Sequence, residues 1–137
     1  DLFKNAIHEY KTGIEKIRAI GEAYLRFAQK DPDYFNALMY FESQELDLHD
    51  CDSVGAQVQH KGHDALLYVI EAIQCGISDG TIRKDIDAQK TAIILWAQTT
   101  GLIQILTLKG EHFEQHHDIK KEELINYSFE LIRHSLT

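Results

Sequence analysis

The stretch TAIILWAQTTGLIQILTL, residues 91–108, holds eighteen residues without a charge, fenced by Lys90 and Lys109. Wound as a helix, it carries apolar side chains (Ala92, Ile93, Ile94, Leu95, Trp96, Ala97, Leu102, Ile103, Ile105, Leu106, Leu108) on nearly every side. A surface helix keeps a polar face, so one that is apolar all round is covered on several sides. Three readings compete for that cover. Length alone admits a membrane span. Against it, Thr91, Gln98, Thr99, Thr100, Gln104 and Thr107 bring six hydrogen-bonding side chains, and no aromatic belt marks the ends; no membrane contact is expected. A core helix wholly buried by its own chain is the second reading. The third, which we favour for a chain of 137 residues, gives the extra face to a second copy.

Gly101 sits in the middle of this helix. A mid-helix glycine costs about 1 kcal/mol relative to alanine and usually has a packing reason. Here that reason is a close crossing at a dimer seam, with Ile94, Gln98, Ile105 and Leu108 beside it on the same segment. From the last segment Leu124, Ser128, Leu131 and Ile132 join the expected seam. The alternative is a glycine tolerated inside one subunit's core.

Working outward, Asp87 is a candidate N-cap for this helix and Gly110 its expected stop. Glu111 to Asp118 then reads as a polar, histidine-rich loop, and a final helix runs from about Ile119 to Leu136. Its apolar face (Leu124, Ile125, Phe129, Leu131, Ile132, Leu136) is wider than one neighbour requires. Upstream, a helix is expected from about Ser53 to Cys75, with Val58, Gly62, Leu66, Val69, Ile70 and Ile73 inward and Gly76 as a left-handed stop. Ser78-Asp79-Gly80 turns the chain, and Ile82 and Ile86 pin the connector. Asp1 to about Lys30 shows three-and-four apolar spacing, weakened at Gly13, where it breaks into two helices. Asp31-Pro32 starts a short helix ending near Glu42 or Ser43, because aspartate caps well and proline fits the first turn. Glu42 to Asp52, with His49 and Cys51, reads as a loop. The expectation is an all-α, six-helix single domain over residues 1–137. Its last two long helices pair across a two-fold axis into a four-helix bundle.

The net charge of −8 is the wrong sign for a segment that grips phosphate by itself. Two cysteines are too few for a disulfide scaffold, so a reducing cytoplasmic setting is expected. The chain begins at Asp1, with Leu2-Phe3-Lys4 already helical in pattern, which suggests a preceding segment.

Ala19-Ile20-Gly21-Glu22-Ala23-Tyr24-Leu25-Arg26-Phe27-Ala28, followed by Asp31-Pro32-Asp33-Tyr34-Phe35-Asn36-Ala37-Leu38-Met39, resembles the start of the C-terminal regulatory domain of TetR family transcriptional regulators. Gly80-Thr81-Ile82-Arg83-Lys84-Asp85-Ile86-Asp87 resembles that family's connector into its penultimate helix. Trp96-Ala97-Gln98-Thr99-Thr100-Gly101 is similar to a subgroup motif of tryptophan, three variable residues, histidine and glycine, with Thr100 standing where the histidine would be. The resemblance implies an all-helical domain that binds a small effector, dimerises through its last two long helices, and reaches operator DNA only through a helix-turn-helix domain missing from this chain.

Tyr24, Phe27, Phe35, Met39, Tyr68 and Trp96, with Leu66 and Ile70, are candidates to line an apolar cavity, to which Thr100, Gln104 and His63 add polar groups. The alternative for each is plain core. His60 and His63 lie three apart, and His112, His116 and His117 accompany Glu111 and Glu114. Exposed pairs and a solvated turn are the simpler accounts, so no metal and no cofactor are expected. The acidic run Glu42, Glu45, Asp47, Asp50, Asp52 lacks the glycine and alternation of an EF-hand. Cys51 among carboxylates should have a raised thiol pKa and low reactivity. There is no phosphate loop, serine elbow or Glu-x-x-His pair, so no enzyme is expected. The expected function is the regulatory half of a ligand-responsive transcriptional repressor. The alternative is a free-standing helical module that binds another protein and no small molecule.

Overall fold

A computed structural model describes the backbone at residues 2–43 and 54–137, and the side chains at 3–40, 43 and 63–137. It holds six helices, α1 (Leu2–Glu9), α2 (Gly13–Lys30), α3 (Pro32–Glu42), α4 (Val54–Asp79), α5 (Ala88–His117) and α6 (Lys121–Leu136), and no strand among the described residues. The all-α expectation holds. Of the stretch from Glu42 to Asp52, Glu42 ends α3, and residues 44–52, with His49 and Cys51, lie outside the described residues, as do the side chains of Val58 and His60.

The break between α1 and α2 is set by chemistry at three positions. Thr12 caps α2: its hydroxyl accepts from the Glu15 amide at 3.4 Å and the Glu15 carboxylate accepts from the Thr12 amide at 3.4 Å, a reciprocal box that satisfies two orphan donors. Gly13 follows as the first helical residue, and its amide donates to Asp79 Oδ2 at 2.8 Å. The glycine is demanded by packing, since a Cβ there would run into the Gly76 backbone and come within 2.6 Å of the Ala72 carbonyl oxygen. Here α2 crosses α4 backbone to backbone.

Gly76 is therefore not a helix stop, as the sequence suggested. The helix α4 passes through it to Asp79, and the left-handed residue is Gly80, φ 85°. A side chain at Gly76 would collide with Ile82, which folds back over it with its amide on the Gly76 carbonyl at 3.0 Å. Ile82 is 2 % exposed. Arg83 then donates its amide to the Leu136 carbonyl at 2.9 Å, tying the connector to the end of α6. Asp31 and Asp87 cap as expected, accepting from the amides of Tyr34 at 3.2 Å and Lys90 at 3.0 Å.

Gly110 does not close α5 either. The helix continues to His117 and ends on Asp118 in the left-handed conformation, φ 54°, which aspartate tolerates better than most side chains do. Gly110 is buried because the Lys121 stem lies against it, where a Cβ would sit 3.2 Å from the Lys121 Cδ. The histidines expected in a loop are consequently on a helix.

Two apolar clusters form the core. One joins Ala6 and Ile7 of α1, Ile17, Ala19 and Ile20 of α2, Ala72 and Ile73 of α4, Ile82, Ala92 and Leu95 of α5, and Leu136. The other joins Leu25, Ala28, Phe35, Ile103 and Phe129.

Asp79 accepts from the Thr81 hydroxyl at 2.6 Å, the Thr81 amide at 2.9 Å and the Gly13 amide. These bonds, led by the Thr81 hydroxyl, hold its pKa below the ordinary carboxylate value of 3.8. A depressed folded-state pKa stabilises the fold above the unfolded value and ceases to do so as pH falls through the folded one. Urea titrations at stepped pH should show Asp79→Asn abolishing part of the stability loss seen below about pH 4. In the same assay Gly13→Ala and Gly76→Ala should each cost roughly 1–3 kcal/mol from overpacking, and Gly80→Ala about 1 kcal/mol from its positive φ.

Candidate functional site

The second cluster gathers aromatic side chains from three helices around one polar contact. Tyr24 stacks on Phe3 of α1 (6.2 Å between centroids, 26° between planes) and meets the edge of Phe35 of α3 (6.0 Å, 87°). Its hydroxyl lies 3.1 Å from the Thr100 hydroxyl of α5. Phe27 packs edge-on with Tyr34 at 5.4 Å, and Met39 and Ile125 lean on the same cluster. Of the expected pocket residues, Tyr24, Phe27, Phe35, Met39 and Thr100 thus come together. Leu66 and Ile70 pack instead against the first cluster, as does Tyr68. His63 and Gln104 are exposed and Trp96 is 40 % exposed. The sequence could not divide these residues, because the same apolar spacing serves either cluster.

A groove of about 310 Å³ runs between α5 and α6, lined by Gln98, Thr99, Gly101, Leu102, Ile105, Ser128, Leu131 and Ile132. Six of these are among the residues expected at a seam; Thr99 and Leu102, which flank Gly101 in sequence, also line the groove. Among the described residues nothing lies within 4 Å of a Cβ placed on Gly101, so they supply no packing reason for the glycine. Ile94, Gln98, Gly101, Ile105 and Leu108 recur at alternating steps of four and three residues, which keeps them on one helical stripe. Ile94 is 55 % and Leu108 76 % exposed, while Leu124 is half-buried. The apolar face of α6 divides in two. Phe129 and Leu136 turn inward and Leu131 outward, and the Phe129 ring enters the space left by Gly21, where a Cβ would meet its Cε1 at 2.7 Å. The Arg18 guanidinium covers the same ring at 4.9 Å.

By length and composition alone α5 is long and apolar enough to cross a bilayer. Its inner stripe of Ala92, Leu95, Ile103, Leu106 and Gly110 is nevertheless buried by its own chain.

The family described as Tetracyclin repressor-like, C-terminal domain matches residues 17–130. The chain belongs to that family. No curated protein and no solved structure matches it. In this TetR-like domain the matched span begins in α2 at Ile17 and ends in α6 at Glu130, and so takes in both the Tyr24–Thr100 contact and the groove. The motif that carried the resemblance, residues 19–28, supplies the inward face of α2: Ala19, Ile20, Ala23, Leu25 and Ala28 are all buried.

A double-mutant cycle on Tyr24→Phe and Thr100→Val should give a coupling energy of about 0.5–1.5 kcal/mol, the net worth of one hydrogen bond. Chemical denaturation of the four proteins measures it.

Proposed function

We propose that residues 1–137 are the single regulatory domain of a ligand-responsive, TetR-like transcriptional repressor, working as a homodimer in the cytoplasm. A small, largely apolar effector enters beside Tyr24, Phe27, Phe35 and Met39, where Thr100 supplies a polar group and Trp96 and Gln104 stand close by on α5. Operator DNA is contacted by a helix-turn-helix head outside this chain.

The observation that carries the reading is the groove beside Gly101. It is apolar and flanked by exposed Ile94, Ile105, Leu108 and Leu131. Its α5 wall lies within eighteen uncharged residues of a chain with net charge −8. Two such chains repel each other through most of their surfaces, and least through this one. A second copy fits because the same patch on both partners closes under a two-fold axis. An effector acts only if it binds one arrangement of the two subunits better than the other, and the arrangement then fixes the spacing of the attached heads on successive major grooves. The role is regulatory rather than catalytic.

Light scattering after size exclusion should report a dimer. Gly101→Leu and Ile105→Glu should each weaken it at least tenfold while far-ultraviolet circular dichroism is unchanged. Unchanged self-affinity in both variants would place the seam elsewhere. In a panel of apolar compounds, a true effector should raise the melting temperature and perturb the fluorescence of Trp96, the sole tryptophan. Saturation at a hundredfold above Kd stabilises the fold by about 2.7 kcal/mol. A monomer that no compound stabilises would favour the alternative, a helical module that docks a different protein on the same face.

A further inference from the structure

We propose that His112 and His116, in the last turns of α5, form a two-ligand site for a divalent late transition metal of tetragonal preference, Cu²⁺ or Ni²⁺. The continuation of α5 past Gly110 puts these side chains four residues apart on one helical face. Their ring centroids are 4.6 Å apart, with 37° between planes. A metal–nitrogen bond of about 2.0–2.1 Å puts each imidazole centroid roughly 3.2 Å from the ion. Two rings at right angles about the ion then lie about 4.5 Å apart, and two at the tetrahedral angle about 5.2 Å. The observed separation is within reach of both arrangements for exposed rings that can turn, and an open site of two imidazole nitrogens suits Cu²⁺ and Ni²⁺, which stand toward the tight-binding end of the divalent series.

His117 is not a third ligand. Its ring is 5.7 Å from that of His112, farther than either of those separations, and 6.1 Å from that of Phe113. Among the described residues no group of three or more histidine, cysteine or carboxylate side chains is arranged to hold a metal. The site accordingly offers two protein nitrogens and leaves its other positions to water. Both rings are exposed, so turning a nitrogen toward the ion meets little steric resistance. The nearby helix C-terminus carries partial negative charge that favours a cation. Lys121, the cation packed on this end of α5, lies against Gly110 on the opposite side of the helix, by residue spacing. Holding both rings requires residues 112–116 to stay helical, so a bound ion clamps the end of α5 before the turn into α6. The site lies within one chain and does not depend on the regulatory reading above.

Isothermal titration of the 137-residue chain with NiCl₂ should show one ion per chain. His112→Ala or His116→Ala should weaken binding at least tenfold, whereas His117→Ala and His63→Ala should change it less than twofold. With Cu²⁺, the electron paramagnetic resonance spectrum should be tetragonal with hyperfine coupling to two nitrogens, and the second nitrogen should vanish in either alanine variant. The same titration on Gly101→Leu should be unchanged, which separates this site from the dimer seam. Nickel affinity that survives the double alanine variant, or falls equally in His117→Ala, would overturn the proposal, as would a copper spectrum unaltered by both single variants.

Discussion

Where α2 crosses α4, Gly13 and Gly76 bring two backbones together with no side chain between them. Such closeness is stable only if the polar groups exposed at the crossing find partners, and Asp79 provides them. Its carboxylate takes the Gly13 amide at the start of α2 and the Thr81 amide and hydroxyl just past the end of α4. One side chain thereby closes both helix ends. Ile82 then seals the crossing from the other side and brings in the chain that leads to α5. The core around Ala72, Ile73, Ala92 and Leu95, buried at 0–8 % exposure, is built on that fixed junction, and the small residues there let α5 approach closely. Without the crossing α5 would have no bed to lie in.

With its inner stripe seated, α5 has more apolar surface than the described residues cover. Burying a leucine or isoleucine side chain is worth about 1.5–3 kcal/mol, so leaving Ile93, Ile94 and Leu108 more than half exposed, and Ile105 nearly so, is a substantial unrealised gain. The α6 helix covers one flank only, and covers it incompletely. A solvent-facing helix under no further constraint would carry charge at such positions. This one has none from Thr91 to Leu108.

The sequence made the helices legible and the roles of the glycines illegible. Asp31-Pro32 and Asp87 act locally, through a cap that involves only the next three residues, and both did what local chemistry says. Gly76 and Gly110 look the same as helix stops in a one-dimensional reading, yet each is there for a partner far along the chain or across a turn, Gly13 and Ile82 in one case and Lys121 in the other. Asp118 did the stopping that Gly110 was expected to do, because a left-handed residue need not be glycine. The histidines were misplaced as a direct result. Candidate pocket residues were half legible for a related reason. Apolar spacing says that Leu66, Ile70 and Phe35 face inward, but which cluster each joins depends on how α3 and α4 are placed, which no local signal records.

The hydroxyl pair of Tyr24 and Thr100 sits one residue before Gly101, and neighbouring side chains leave a helix about 100° apart. Thr100 is held by the aromatic cluster while Gly101 faces the groove. Because both lie on one continuous helix, the contact that fixes the direction of Thr100 also fixes the direction in which Ile94, Ile105 and Leu108 point.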